Sequence, residues 1–304
     1  MAAYFEGRFQ DCVAHGKQCF AYFDRCTGVS WERTTMRHYA IWSLLWLGRL
    51  REATGRIRPQ LKAALEQGDV YSATDLRIFT SNLMWLIEDD VQGARRVVDE
   101  AMDAWSNRGF HAQHYYALYA RGNIDVYEGD GVGAWLRLKA AWPTLRSAML
   151  LNIQSVRVEM VHLRARAALV AAQQDANHAG LYLRRAVKDA KSLRREVSLF
   201  APSIGNLVLA AVSQMRGDDD RCIALLRKSI EGFARSELEQ FVAAAKRRLG
   251  AMDAAEGKGL VEEGSKVMRS EGVVDVERWT DLLAPGFRRQ SPMLAAPKGL
   301  ASIF

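Results

Sequence analysis

His111 and His114 stand three residues apart beside Tyr115 and Tyr116, which in a helix places both imidazoles on one side of its first turn. Two histidines at that spacing can hold a metal, but a catalytic zinc needs a third protein ligand and none lies nearby in sequence. A structural or partner-contact role is therefore expected for both. Cys12, Cys19 and Cys26 are spaced by seven. In one helix each step would span roughly 10 Å, too far for two ligands of one zinc ion. The carboxylate runs Glu88-Asp89-Asp90 and Asp218-Asp219-Asp220 resemble acid/base pairs, yet each precedes an apolar helical stripe, where acids cap amino termini and complement the dipole. Gly129-Asp130-Gly131-Val132-Gly133 has the glycines of a phosphate loop but neither a Lys-Ser/Thr after it nor a strand before it. No catalytic residue, metal ligand or cofactor-binding residue is expected, and the chain reads as a non-enzyme.

The elements that carry these residues repeat. A small residue is followed by another seven positions on at Cys12/Cys19, Ala94/Ala101, Ala134/Ala141, Ala179/Ala186 and Cys222/Ser229, each shortly after a Gly- or Asp-bearing turn. Ala53 belongs to the same series, but its partner position holds Gln60. A period of roughly 40–45 residues is the signature of a helical repeat array. Cys12, Cys19 and Cys222 occupy places that alanine fills elsewhere, so the thiols read as small buried hydrophobes. Redox sensing would require an exposed thiolate.

Within each unit the apolar spacing is helical. Leu76, Phe79, Thr80, Leu83, Leu86 and Ile87 form one stripe ending at Asp89 and Asp90, and Ala94, Val97, Val98, Ala101, Met102 and Trp105 form the next. Further helices are expected over 112–128 and 132–147, 152–173 and 177–196, and 202–215 and 219–234, with Pro202 in a first turn. Pro59 and Pro143 fall inside second helices and should shorten or kink them. Most of the eight tryptophans lie on apolar stripes and are expected to fill the core. The expected fold is all-α: a right-handed solenoid of about six to seven antiparallel helix pairs over residues 1–287, followed by a disordered tail at 288–304 that carries two prolines and no periodicity. The segment 4–23 matches a turn and second helix, so the first unit lacks most of its first helix and its apolar face needs a cover.

Composition narrows the function classes. Of 304 residues 49% are hydrophobic and 25% charged, ordinary for a folded protein, and no apolar run approaches the roughly 20 residues that span a bilayer. The first residues lack a basic stretch leading into an apolar core, so a cytoplasmic location without membrane contact is expected. Four cysteines in a chain this long do not form a disulfide framework. The net charge of +7 and pI near 9.3 raise the question of an acidic partner. Arg184, Arg185, Lys188, Lys191, Arg194 and Arg195 crowd one helical segment, opposite Leu183, Ala186, Val187, Ala190 and Leu193. A solvated helix face is the expected reading, and nucleic acid is not the expected partner, because no stacking aromatics or nucleic-acid motif accompany the charge.

Short helix pairs with Gly/Asp turns and small residues seven apart resemble tetratricopeptide repeats, although the period exceeds that family's 34 residues. More specifically, WERTTMRHYAIWSLLWLGRL, GFHAQHYYALYARGNIDVYEGDG with AWPTL after it, LRARAAL and ERWTDLLAPGF together resemble the helical region that follows the kinase domain in large bacterial serine/threonine protein kinases. The likeness runs from about residue 4 to Phe287. It implies a tetratricopeptide-like sensor or docking array in a kinase-based signalling system, separated from a kinase or free-standing. No glycine-rich loop, V-A-I-K strand, H-R-D loop or D-F-G is present, so the parts that hold ATP and magnesium are missing. The expected function is binding of a protein or peptide, a kinase or its substrate, in the concave groove, and Phe110, His111, His114, Tyr115, Tyr116 and Arg121 are the candidate contact residues, since Tyr and Arg dominate interface hot spots. The alternative is a module of a transcription regulator or nucleic-acid-associated protein that uses the basic surface.

Overall fold

A computed structural model describes residues 1–106, 108–252 and 257–288. These form α1 (Ala2–Phe5), α2 (Phe9–Phe23), α3 (Ser30–Leu47), α4 (Leu50–Glu66), α5 (Val70–Asp75), α6 (Leu83–Ile87), α7 (Val91–Asp103), α8 (Ala112–Glu128), α9 (Gly131–Ser147), α10 (Gln154–Gln174), α11 (Ala179–Leu193), α12 (Ala201–Met215), α13 (Asp219–Arg235), α14 (Glu239–Gly250), α15 (Gly257–Ser270) and α16 (Val276–Leu283). No strand occurs among the described residues, and none of their helices is long and apolar enough to cross a membrane. Successive helices pack as antiparallel pairs. Of the tail expected to be disordered, Arg288 alone falls within the described residues; the rest lies outside them.

Local chemistry sets the helix starts. Asp69, Asp90, Asp130, Asp218 and Asp275 each accept a backbone N–H from three residues ahead, at 3.0, 2.8, 2.9, 3.2 and 2.9 Å. These are N-caps, and they account for the acidic turns. The Gly129–Gly133 segment is built the same way. Gly129 closes α8 at φ +82°, Asp130 caps α9, and Gly131 lies against the backbone of α10, where an added Cβ would fall 2.2 Å from the amide nitrogen of Ala171. Gly131→Ala must push α9 off α10, and should lower the unfolding free energy by about 1–3 kcal/mol, read from urea denaturation. A variant within a few tenths of the parent would show that this close approach is unimportant.

Two expectations about single helices need correction. The stripe Leu76–Ile87 is not one helix: α5 stops at Asp75, Phe79–Asn82 forms a 3-10 turn, and α6 is short. Phe79 adopts φ +55°, a conformation that costs a bulky residue energy unless its surroundings impose it. Those surroundings are the rings of Trp42, Tyr115, Tyr116 and Tyr119, with centroids 4.6–5.7 Å away. Asn82 fixes the break by donating to the carbonyls of Arg77 and Ala94, both at 3.0 Å. Pro59 and Pro143, expected to shorten or kink their helices, do not end them; α4 and α9 each run 17 residues through them.

First and second helices differ in how much they bury. Twelve of 17 residues in α8, 16 of 21 in α10, 12 of 15 in α12 and 10 of 12 in α14 are buried, against four of 17 in α9 and five of 15 in α11. Second helices are amphipathic and cover one face, whereas first helices are enclosed on all sides. The covering comes from the two ends of the chain. Tyr4 of α1 reaches Glu159 of α10, and Phe9 stacks on Trp46, 5.5 Å between centroids, so the first unit carries its own cover. At the other end, Arg166 donates to the carbonyl of Leu282 (3.0 Å), Arg248 to that of Ala284 (2.9 Å) and Gln173 to that of Phe287 (3.1 Å). The last helices also return to the first: Val274 donates its amide to the carbonyl of Ile87 (2.9 Å), and Trp46 stacks on Phe241 of α14.

Cys26 lies beyond the end of α2 and is exposed, Cys19 is half-buried, and Cys12 and Cys222 are buried. Burial raises the thiol of Cys12 and pushes that of Cys222 up to about 12, which suits core packing and disfavours the reactive thiolate.

Candidate functional site

The residues expected to contact a partner do not form one exposed patch. Tyr115 is 2% exposed and points into the core, where its hydroxyl donates to Glu159. Tyr116 packs on Phe79 and Trp42. His111 and His114 organise the start of α8: the amide of His111 donates to His114 Nδ1 at 3.0 Å, and Trp105 Nε1 donates to His111 Nδ1 at 3.2 Å. Both Nδ1 atoms are thus acceptors of internal bonds, and the ring of Phe110 stacks on His114. Burial, then the neighbouring His111, lowers the His114 imidazole. Arg121 sits two turns on and pairs with Asp99 at 2.8 Å. Among the described residues no group of three or more His, Cys, Asp or Glu is placed to hold a metal ion.

Side chains of α3, α8, α10, α14 and α16 surround a small cavity of about 40 Å³ bounded by Trp46, Asn123, His162, Arg166, Phe241 and Trp279. That volume holds no more than a few waters. Its polar groups satisfy one another only in part, since Thr80 Oγ1, His162 Nδ1 and Arg166 Nε have no hydrogen-bond partner among the described residues. Arg166 donates to Asn123 Oδ1 (2.8 Å), and Trp279 Nε1 donates to Gln240 Oε1 (3.1 Å). Nearby, Glu159 accepts from Tyr4 at 3.4 Å and from Tyr115. Burial pushes the Glu159 carboxyl up to about 8 although both phenol bonds pull the other way. Burial, followed by the charge of Arg166, holds the His162 imidazole well below its usual range. This polar core, with a glutamate, a histidine and an arginine spaced along α10, was not anticipated from the sequence.

The outer surface offers an open groove of about 350 Å³ where α11 meets α12 and the start of α13. Its floor is apolar, with Val187, Leu209 and Val212, and its rim carries Lys191, Arg194, Arg216 and Arg221. None of these four cations has an ion-pair partner among the described residues, and all four are exposed. Asp218 also lines the groove, with one oxygen taken by the Arg221 amide. The basic run expected as a solvated face therefore splits: Arg185 turns inward to Asp189 (3.1 Å), and Lys191 and Arg194 border the groove. Val197, 92% exposed, and Leu199 follow directly in the α11–α12 connection. In comparisons with protein-family models, curated proteins and solved structures, nothing matches the chain.

Proposed function

We propose that the chain is a right-handed, tetratricopeptide-like helical array that works as a non-catalytic protein-binding module, in a bacterial signalling system built on serine/threonine kinases. The observation that carries the binding role is the unpaired cationic groove beside α11, with its apolar floor and exposed Val197 and Leu199. Four unneutralised cations around an apolar strip are complementary to an acidic segment with interspersed apolar side chains. The partner site moves from the concave side to this outer groove, because the inner helices are enclosed. The link to kinases rests on the resemblance alone. The segments that carry it fall in α3, α8, α9, α10 and α16, which apart from α9 are largely buried, so most of what they share is packing, and the partner surface is free to differ.

The test uses Lys191→Glu/Arg194→Glu, both exposed and away from the core. Binding of an acidic, leucine-containing peptide should weaken by about tenfold or more with unchanged circular dichroism. Equal binding by the variant would remove the groove from the proposal. The alternative, a nucleic-acid-associated role, rests on the same cations; tight binding to mixed-sequence duplex DNA that falls steeply with salt would favour it instead.

A further inference from the structure

A second depression, of about 300 Å³, opens between the amino-terminal half of α3, the carboxy-terminal half of α4 and the start of α5. It is polar. Arg33, Thr34, Arg37, His38, Gln60 and Gln67 line it, and each offers a hydrogen-bond donor. Arg37 has no carboxylate partner among the described residues, only the ring of Phe20 at 5.7 Å. Arg33 has one, the exposed Asp24 at 2.9 Å. The one carboxylate in the lining, Asp69, is already occupied by the amide and hydroxyl of Ser72, at 3.0 and 2.5 Å.

His38 distinguishes this depression from a gap between helices. Its side chain is 3% exposed, wedged between the rings of Trp42 and Tyr71, yet it borders the pocket. Behind it lies Asp75, 1% exposed, held by Gln113 Nε2 at 3.2 Å. His38 Nδ1 is 3.3 Å from Asp75 Oδ2 but out of line for a hydrogen bond, so a buried ring nitrogen is left without a partner. Such a group carries a cost unless something completes it. Nδ1 faces Asp75, and the rest of the ring borders the pocket, where Arg37 and Arg33 offer positive charge to an anion and two amides offer donors to its oxygens.

The sequence carries an independent mark of the same place. Gln60 stands where other units of the array put a small residue, and it is one of the two amides in the pocket. At the corresponding position Ala101, Ala186 and Ser229 are fully buried while Cys19 and Ala141 are half-buried, and Gln60 is the one long polar side chain in the series.

We propose that this pocket binds a phosphate monoester, with His38 and Arg37 as its principal contacts, Gln60 as a third and Asp75 as the residue that positions the imidazole. The shared chemistry can come from a small phosphorylated compound or from a phosphorylated side chain. The volume takes a phosphate with a short organic stub, and stays below that of a site for a large ligand.

The full chain is titrated with inorganic phosphate, O-phosphoserine and a short phosphoserine peptide at constant ionic strength, with sulfate and acetate as controls. Heat of binding and the side-chain nitrogen resonances of the histidines are followed together. Saturable binding of the phosphates should move the side-chain resonances of His38 while those of His178, on the surface, stay still. Arg37→Met and Gln60→Ala, neither of which touches the core, should weaken binding about tenfold and a few-fold respectively. Gln60→Ala installs the residue that other units carry, so its fold is secure. Preference for the peptide assigns the phosphate to a protein side chain, and equal affinity for free phosphoserine assigns it to a small ester. Absence of saturable binding, an equal response to sulfate and acetate, or affinity unchanged in Arg37→Met would each overturn the site.

Discussion

Glu159→Gln should make the protein more stable at pH 8–9 and leave it nearly unchanged at pH 4–5. Burial raises the Glu159 carboxyl from an ordinary 4.5 to about 8. The folded state therefore holds a proton that the unfolded chain releases. That contribution is fully present below pH 4.5, declines as pH rises, and is gone above about 8, a span worth up to ~5 kcal/mol at 1.36 kcal/mol per unit. His162 has the opposite sign. Its pKa in the folded state is depressed well below 6.5, so its contribution is present above 6.5 and is lost as pH falls. The two slopes oppose one another between about 4.5 and 6.5, and from 6.5 to 8 the Glu159 slope stands alone. Urea denaturation at unit steps of pH should show the parent losing stability over that upper interval and the glutamine variant holding level. An equal decline in both proteins would mean that the carboxyl is not the source. The amide can still accept from one phenol and donate to the other, so the substitution leaves the contacts of Tyr4 and Tyr115 in place.

Asp189→Ala is expected to cost about 3–5 kcal/mol, the range for breaking a buried ion pair from one side. Asp189 accepts from Arg164 Nε and Nη2 at 2.8 and 2.7 Å and from Arg185 Nε at 3.2 Å. The guanidinium of Arg164 lies 3.3 Å from the centroid of Trp142, and burial lowers its pKa against the pull of Asp189. Without the carboxylate that cation stays enclosed with only the indole face to answer it. Removing both charges, as in Arg164→Met/Asp189→Leu, should recover most of the loss. Glu88→Ala is the control: its pair with Arg58 is exposed, and the change should stay below about 1 kcal/mol. A loss at Asp189 no larger than at Glu88 would refute the distinction drawn from burial.

The helix pairs were legible because their signals are local. Apolar spacing, aspartate caps and glycine turns act within a few residues, and helices such as Ala112–Glu128 and Ala201–Met215 fall within a residue of where spacing puts them. What could not be read locally depends on distant chain. The break at Phe79 is imposed by rings from α3 and α8, and no pattern within 76–87 announces it. Tyr115 looks like an interface residue until Glu159, 44 positions away, meets it in the core. The dyad of His38 and Asp75 joins residues 37 apart on different helices, so no local pattern announces it.

The side-chain bonds that Arg166, Arg248 and Gln173 make to the carbonyls of Leu282, Ala284 and Phe287 also set an order of events during synthesis. Those carbonyls are among the last of the described residues to leave the ribosome, and the flanks of α10 and α14 that bond them were made up to 116 residues earlier. At roughly 5–20 residues per second, the nascent array spends many seconds with these flanks bare. In that interval its guanidinium groups sit in water rather than against carbonyls, and its aromatic rows are open to chaperones. The docking of α16 then follows the synthesis of the helices it packs against, so their buried polar groups find these partners late.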